Sequence, residues 1–267
     1  HTTFLMDNNQ NVINTWLHDC KPASIPYLMP DSSLVYPCKE TSFTPLNGGN
    51  GPLGGRVVRY SWEGEIMWDF NVASSTMQPH HDIEVLDNGN ILMLAYEKVS
   101  VEEAQSFGME SINEGLEYII PCKVIEVLPD GIGGEEIVWE WRFWDHLIQE
   151  VDPSKPNFGL ISDHPERLDV NVRPPTSSNG DWIHTNAIDY NQELDLIVIS
   201  SRRTGEIYII DHSTTTEEAT SSEGGSYGLG GDFLYRWGNP SNYNLGTDDN
   251  NLLLNPHGVN WINSSYP

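Results

Sequence analysis

Histidine at recurring places is the feature of this chain that could do chemistry. His80-His81-Asp82 precedes the apolar run Asn90–Leu94, His184-Thr185-Asn186 precedes Asp195–Ile199, and His257-Gly258 follows a third such interval. Imidazoles brought together from successive repeats have four uses. They can ligate a metal ion with one open position, or act as general acid, general base and anion binder. One of them can be a nucleophile towards an activated acyl, phosphoryl or sulfuryl group. Otherwise they simply hold an anion. Arg202, in Ser200-Ser201-Arg202-Arg203 at the end of the strand after His184, favours the readings with an anion over a divalent cation.

The elements that must position these residues are strands. Short β-rich runs such as Arg56–Tyr60, Glu65–Phe70, Ile91–Tyr96, Ile137–Trp141, Leu196–Ser200, Ile207–Ile210 and Phe233–Trp237 alternate with Gly, Asn, Asp and Pro clusters. Asp87-Asn88-Gly89-Asn90 and Leu128-Pro129-Asp130-Gly131 read as reversals. The one helical pattern, around Val101–Phe107, is short. An apolar strand followed by a strand ending in Trp (Trp68, Trp139 and Trp141, Trp237) alternates with the histidine strand. The opening segment has Ile25-Pro26 where histidine would stand.

This repeat predicts an all-β β-propeller of about four units over residues 1–267, incomplete at the C-terminus. Equivalent positions of successive blades ring one axis, so His80 or His81, His184 and His257 are expected to converge, with Arg202 and Asn186 beside them. Glu97–Pro121, Asp145–Asp181 and Ser213–Gly230 read as loops, the last as a mobile one. Trp182 and Trp261, close in sequence to the histidines, are candidates to line a phenol pocket. His212 reads as structural, and Asp248–Asn251 as a solvated loop.

Composition narrows the partners. Thirteen Lys and Arg against 39 Asp and Glu give a net charge of −26, which repels phosphate backbones and anionic lipid. No run is long and apolar enough for a membrane helix. Nucleic-acid binding and membrane insertion are therefore not expected, and oligomeric state stays open. Cys20 and Cys38 each close an apparent strand and can bridge, which leaves Cys122 over. No CxxC pair suggests structural zinc, and no P-loop suggests a nucleotide. Asn263-Ser264-Ser265 matches a glycosylation sequon.

The strings Pro79-His-His-Asp-Ile83, Asn88–Leu92, Asp181-Trp-Ile-His-Thr-Asn-Ala-Ile188, Ser200-Ser-Arg202, Glu206–His212, Leu234-Tyr-Arg-Trp-Gly-Asn-Pro240 and His257-Gly258 come in an order and spacing that resembles the bacterial arylsulfotransferases, which need no adenosine-based sulfate donor. The resemblance runs from Asp7 to Trp261 and implies a six-bladed propeller with its site in the central channel. It implies sulfuryl transfer from an aryl sulfate to a phenol by a ping-pong route, with His257 transiently sulfated. His184, one of His80 and His81, Asn186 and Arg202 would surround it. It implies no cofactor and no metal, and a periplasmic or extracellular location. The competing expectation is a secreted propeller that binds without catalysis.

Overall fold

A computed structural model describes residues 1–40, 42, 44–49, 51–175 and 179–262, so the Asn263 sequon lies outside the described residues. The fold is all-β and mostly antiparallel. A hairpin of β1 (Thr2–Met6) and β2 (Val12–Leu17) forms a two-stranded sheet of its own. Three four-stranded antiparallel sheets follow. The first is β3 (Tyr27–Leu28), β4 (Leu34–Cys38), β5 (Arg56–Tyr60) and β6 (Ile66–Asn71). The second begins with β7 (Met77–Val85) and β8 (Ile91–Glu97).

An insertion carrying the pair β9 (Val99–Ser100) and β10 (Tyr118–Ile119) then intervenes before β11 (Cys122–Pro129) and β12 (Glu135–Arg142) complete that sheet in the order β7-β8-β11-β12. A second insertion holds the short parallel pair β13 (Leu147–Ile148) and β14 (Leu168–Asp169). The third sheet is β15 (Thr185–Asn191), β16 (Leu196–Ser201), β17 (Glu206–Asp211) and β18 (Tyr235–Trp237). Among the described residues the sheets do not close into a ring or barrel.

The central strands explain the sheets. β8 (ILMLAYE) and β16 (LIVISS) are buried along their whole length, so no polar alternation is needed, and both read as near-continuous apolar runs. The reversal between β7 and β8 places Gly89 at φ 92°, as the Asn-Gly signal requires, and Leu86 accepts its amide. The expected helix is α1 (Val101–Ser106), capped by Ser100, whose hydroxyl accepts from the Glu103 amide.

The repeat is real but its phase differs from the sequence reading. Each sheet opens with a strand that carries histidine (β7), directly follows it (β15) or has Tyr27 instead (β3), and ends with a Trp strand. The hydrogen-bonded unit thus joins a histidine half to the Trp half that follows it, not the one before. The tryptophans also divide. Trp139 and Trp141 are buried, with indole N–H groups bonded to Thr214 and the Gly231 carbonyl, whereas Trp237 is exposed.

Those two bonds tie β12 to the Ser213–Gly230 segment and to Gly231 at its end. That segment carries the short helix α2 (Thr216–Ala219) with a reciprocal Thr215–Glu218 cap, so it is densely bonded rather than loose. Cys20 and Cys38 form a disulfide, and Cys122 is free and buried.

Adjacent sheets are joined by carboxylates on their opening strands. Asp82 on β7 accepts from the Tyr27 hydroxyl at 2.9 Å and from the Ile188 amide of β15 at 3.2 Å. Asp189 on β15 accepts in turn from the Trp261 amide at 2.6 Å. Ile188 and Trp261 each lie four residues after a histidine, His184 and His257. One device is therefore used twice, and it sets the histidines in register.

Candidate active site

Four histidines form a line of touching rings. His80 and His81 share an Nδ1–Nδ1 hydrogen bond of 2.8 Å. The His81 and His184 ring centroids are 4.9 Å apart, and those of His184 and His257 are 6.5 Å apart. β7 supplies the first pair at a bulge between Pro79 and Ile83, and His184 lies just before β15. Both His81 and His184 have left-handed backbones, φ 58° and 56°, a conformation rarely adopted by side chains with a Cβ.

Burial grades along this line. His80 is buried, stacks on Tyr96 at 3.7 Å, and its Nε2 has no hydrogen-bond partner. It therefore backs His81, and His81 is the member of the pair that meets His184. Burial, aided by the neighbouring imidazoles, drives the His80 pKa well below the ordinary value. The same cause lowers His81 to about 4, so both rings are neutral at pH 7. His257 at the far end is exposed.

Hydrogen bonds fix two of the tautomers. His257 Nδ1 lies 2.9 Å from the Asn255 carbonyl, which can only accept. The proton is therefore on Nδ1, and Nε2 presents a lone pair. His184 Nδ1 lies 2.6 Å from an Asp181 carboxylate oxygen, with the same consequence. That same oxygen also holds Arg203 Nε at 3.3 Å. Asn186 is buried and spans the gap to the histidine of the next interval. It accepts from the Ser200 hydroxyl and donates to the Pro256 carbonyl, each at 2.8 Å. The Arg202 amide donates to the His184 carbonyl at 3.0 Å, and its side chain lines an open cavity with Arg203 and Asn255.

Of the residues expected from sequence, His80, His81, His184 and His257 come together, with Asn186 and Arg202 adjoining them. The two tryptophans do not join them. Trp182 is 0% exposed in the main core, with its indole N–H bonded to the Val172 carbonyl and its ring edge-on to Trp144, so it cannot line a substrate pocket. Trp261 borders a separate cavity with Asp189 and Glu193.

Sequence reasoning missed Asp181 and Asn255. Asp181 stands three residues before His184, a spacing that could have signalled it. Asn255 acts through its carbonyl, which no side-chain pattern reveals. His212, read as structural, bridges Asp195 at 2.7 Å and Glu126 at 3.0 Å. Burial opposes its charge, but these bonds outweigh it and raise its pKa.

The imidazoles are strung out, not convergent. Among the described residues the one trio of His, Cys, Asp or Glu ligand atoms mutually within 4.8 Å is Asp19, Cys20 and Cys38, whose two cysteines are bonded to each other.

A family model described as "Arylsulfotransferase (ASST)" matches residues 36–218, an interval that holds every residue of the cluster except His257 and its supports Asn255 and Pro256. No curated protein matches. Among solved structures, Kuenenia stuttgartiensis hydrazine synthase is similar at 12% identity and a TM-score of 0.40, over 86% of this chain and 54% of that chain. The chain thus spans about half the length of that structure.

Proposed function

The chain belongs to the arylsulfotransferase family, and from that premise we propose that it moves a sulfuryl group from an aryl sulfate ester to a phenol through a sulfated His257. The observation that carries this reading is the bond from His257 Nδ1 to the Asn255 carbonyl, which leaves Nε2 unprotonated on an exposed ring. In the first step the Nε2 lone pair attacks sulfur, the N–S bond forms, and the S–O bond to the aryl group breaks with its electron pair on the departing phenolate. His184 donates from Nε2 if protonated there, and Arg202 offsets charge on the sulfuryl oxygens. In the second step the acceptor phenol oxygen attacks sulfur, the N–S bond breaks, and a neighbouring imidazole takes the phenol proton.

The same reading makes the three sheets successive blades of a β-propeller with β3, β7 and β15 nearest its axis. The repeated carboxylate-to-amide join from Asp82 to Ile188 and from Asp189 to Trp261 supports it. The Cys20–Cys38 disulfide supports a periplasmic or extracellular location, since such bonds persist in oxidising compartments.

The intact protein, mixed with an aryl sulfate alone, is expected to gain about 80 Da, one sulfuryl group, on the peptide containing His257. Adding a phenol should remove the adduct, and His257→Asn should abolish both adduct and transfer. Full transfer by His257→Asn would show the nucleophile to be misassigned. Absence of turnover across several aryl sulfates would leave a non-catalytic binding module.

A further inference from the structure

The cavity of about 400 Å3 beside the histidines is lined by Arg173, Pro174, Arg202, Arg203 and Asn255. Two of its arginines are unlike the rest. The chain has eight arginines, and six of them pair with carboxylates: Arg56, Arg59, Arg142, Arg167, Arg203 and Arg236. Among the described residues the two without an ion pair are Arg173 and Arg202, and both line this cavity, Arg173 also bordering a neighbouring one with Asp169 and Asp248. In a chain with 39 acidic residues, a guanidinium meets a carboxylate almost anywhere on the surface. Two that do not, on one cavity, leave their donor forks open to an external anion.

Backbone conformation at the same place agrees. Eight non-glycine residues among those described have positive φ. Four of these are His81, His184, Asn255 and Arg173, and the other four lie at turns or a helix end. Arg173, at φ 46°, also precedes Pro174, a position that ordinarily favours extended backbone. Strained conformations persist where surrounding structure over-determines them, and here they gather around one cavity and its histidines. The walls lead directly to the reacting groups. The Arg202 amide holds the His184 carbonyl, and the Asn255 carbonyl holds His257 Nδ1.

We propose that this cavity seats a second anionic group, a carboxylate or sulfonate carried on the aromatic ring of the substrate, and that Arg173 determines that preference. The proposal rests on the function given above and names its substrate class: aryl sulfates or phenols bearing an acidic ring substituent. A sulfate monoester carries one negative charge, which Arg202 answers. Arg173 adds a second unpaired guanidinium that a neutral ring would leave unused.

The test measures binding of inert ligands, so it does not depend on turnover. By calorimetry at low salt on the intact protein, meta-benzenedisulfonate is expected to bind about tenfold more tightly than benzenesulfonate, the scale of one exposed charge-assisted contact. Arg173→Gln should erase that difference, and Arg173→Lys should restore part of it. Arg173 is exposed, so an unchanged thermal melt is expected to show the fold intact. Equal affinity of the two sulfonates for the unmodified protein would overturn the proposal. So would a preference that survives Arg173→Gln, or inorganic sulfate binding as tightly as the disulfonate, which would mark a free-ion site. A protein that binds the disulfonate through Arg173 but turns over no aryl sulfate would defeat the catalytic reading and leave this one standing.

Discussion

The two ends of the opening strands carry opposite chemistry on the same scaffold. Along β7, His80 and His81 come first and Asp82 and Glu84 follow; around β15, His184 precedes the strand and Asp189 lies near its end. Along β7, burial pushes groups at both ends towards their neutral forms. It lowers His81 to about 4, and it raises Glu84 to about 8, assisted by the nearby Asp189 and Asp82 carboxylates. Asp82 is raised as well, by burial, against the bonds it accepts from Ile188, Tyr27 and Ile83.

What separates the ends is where their hydrogen bonds go. Asp82 and Asp189 bond to backbone amides of neighbouring segments and so join sheets. The histidines mostly meet one another, and the outermost keeps a free ring nitrogen. A carboxylate bonded to backbone amides acts as a structural join, whereas an imidazole with an open lone pair is available for reaction.

The sharpest way to break this contrast is at Asp181, a carboxylate placed at the histidine end. Its bond to His184 Nδ1 fixes the tautomer with Nε2 bare until it is protonated. Asp181→Asn keeps the shape but can present an N–H to Nδ1, which would move the proton to Nε2. A loss on the order of 10²-fold in transfer rate is expected, the scale of a mispositioned acid–base group. Nitrogen chemical shifts of His184 should report the change of tautomer. An unchanged tautomer together with an unchanged rate would reduce Asp181 to an anchor for Arg203.

The carboxylate end gives a smaller effect, read in stability. Glu84 titrates near 8 when folded and near 4.5 when not, so between those values the folded state holds a proton that the unfolded chain releases. Stability must therefore fall as pH rises through that window. Glu84→Gln is expected to flatten the fall and to leave the protein more stable than the parent at about pH 8. His81 has the opposite sign. Its folded value near 4 lies below the ordinary 6.5, so stability falls as pH drops from 6.5 towards 4, and His81→Gln should flatten that limb. Urea unfolding across both windows checks the pair. Parallel slopes in parent and variants would show that these groups are less desolvated than their surroundings imply.

Much of this was legible in the sequence because strands and histidines repeat. The runs at Arg56–Tyr60, Ile91–Tyr96 and Leu196–Ser200 fall on β5, β8 and β16. The histidines meet because equivalent positions are held in register by the Asp82 and Asp189 joins. What was illegible depended on distance across the chain. The phase of the repeat is set by which strands bond, and β8 bonds β11 across an insertion that no local pattern bridges.

Another string of the family resemblance supplies a structural support. Arg236, within Leu234–Pro240, is buried on Glu206 at 2.7 Å and also bonds the Pro165 and Arg167 carbonyls. Arg173 and Asn255 carried no side-chain motif at all, and only their backbone conformation and their common cavity bring them to notice.

Trp182 gives the smallest expected effect on activity and the cleanest separation of site from core. Two residues from His184, it is a reasonable candidate for a phenol platform, since alternation along an extended chain sends residues i and i+2 to one face, but the left-handed backbone of His184, φ 56°, breaks that alternation. Its indole is fully buried, edge-on to Trp144 at 5.9 Å, and donates to the Val172 carbonyl at 2.8 Å. Trp182→Phe removes that donor and some volume, leaving a buried carbonyl without its partner. A destabilisation of about 2–4 kcal/mol is expected from the two losses together. That corresponds to a melting temperature lower by roughly 5–15 °C for a chain of this size. KM for an aryl sulfate, measured well below the new melting temperature, should stay unchanged, because no part of this ring reaches the histidine line. A raised KM with an unaltered melt would place Trp182 at the substrate, and would require β15 to present its preceding segment the other way round.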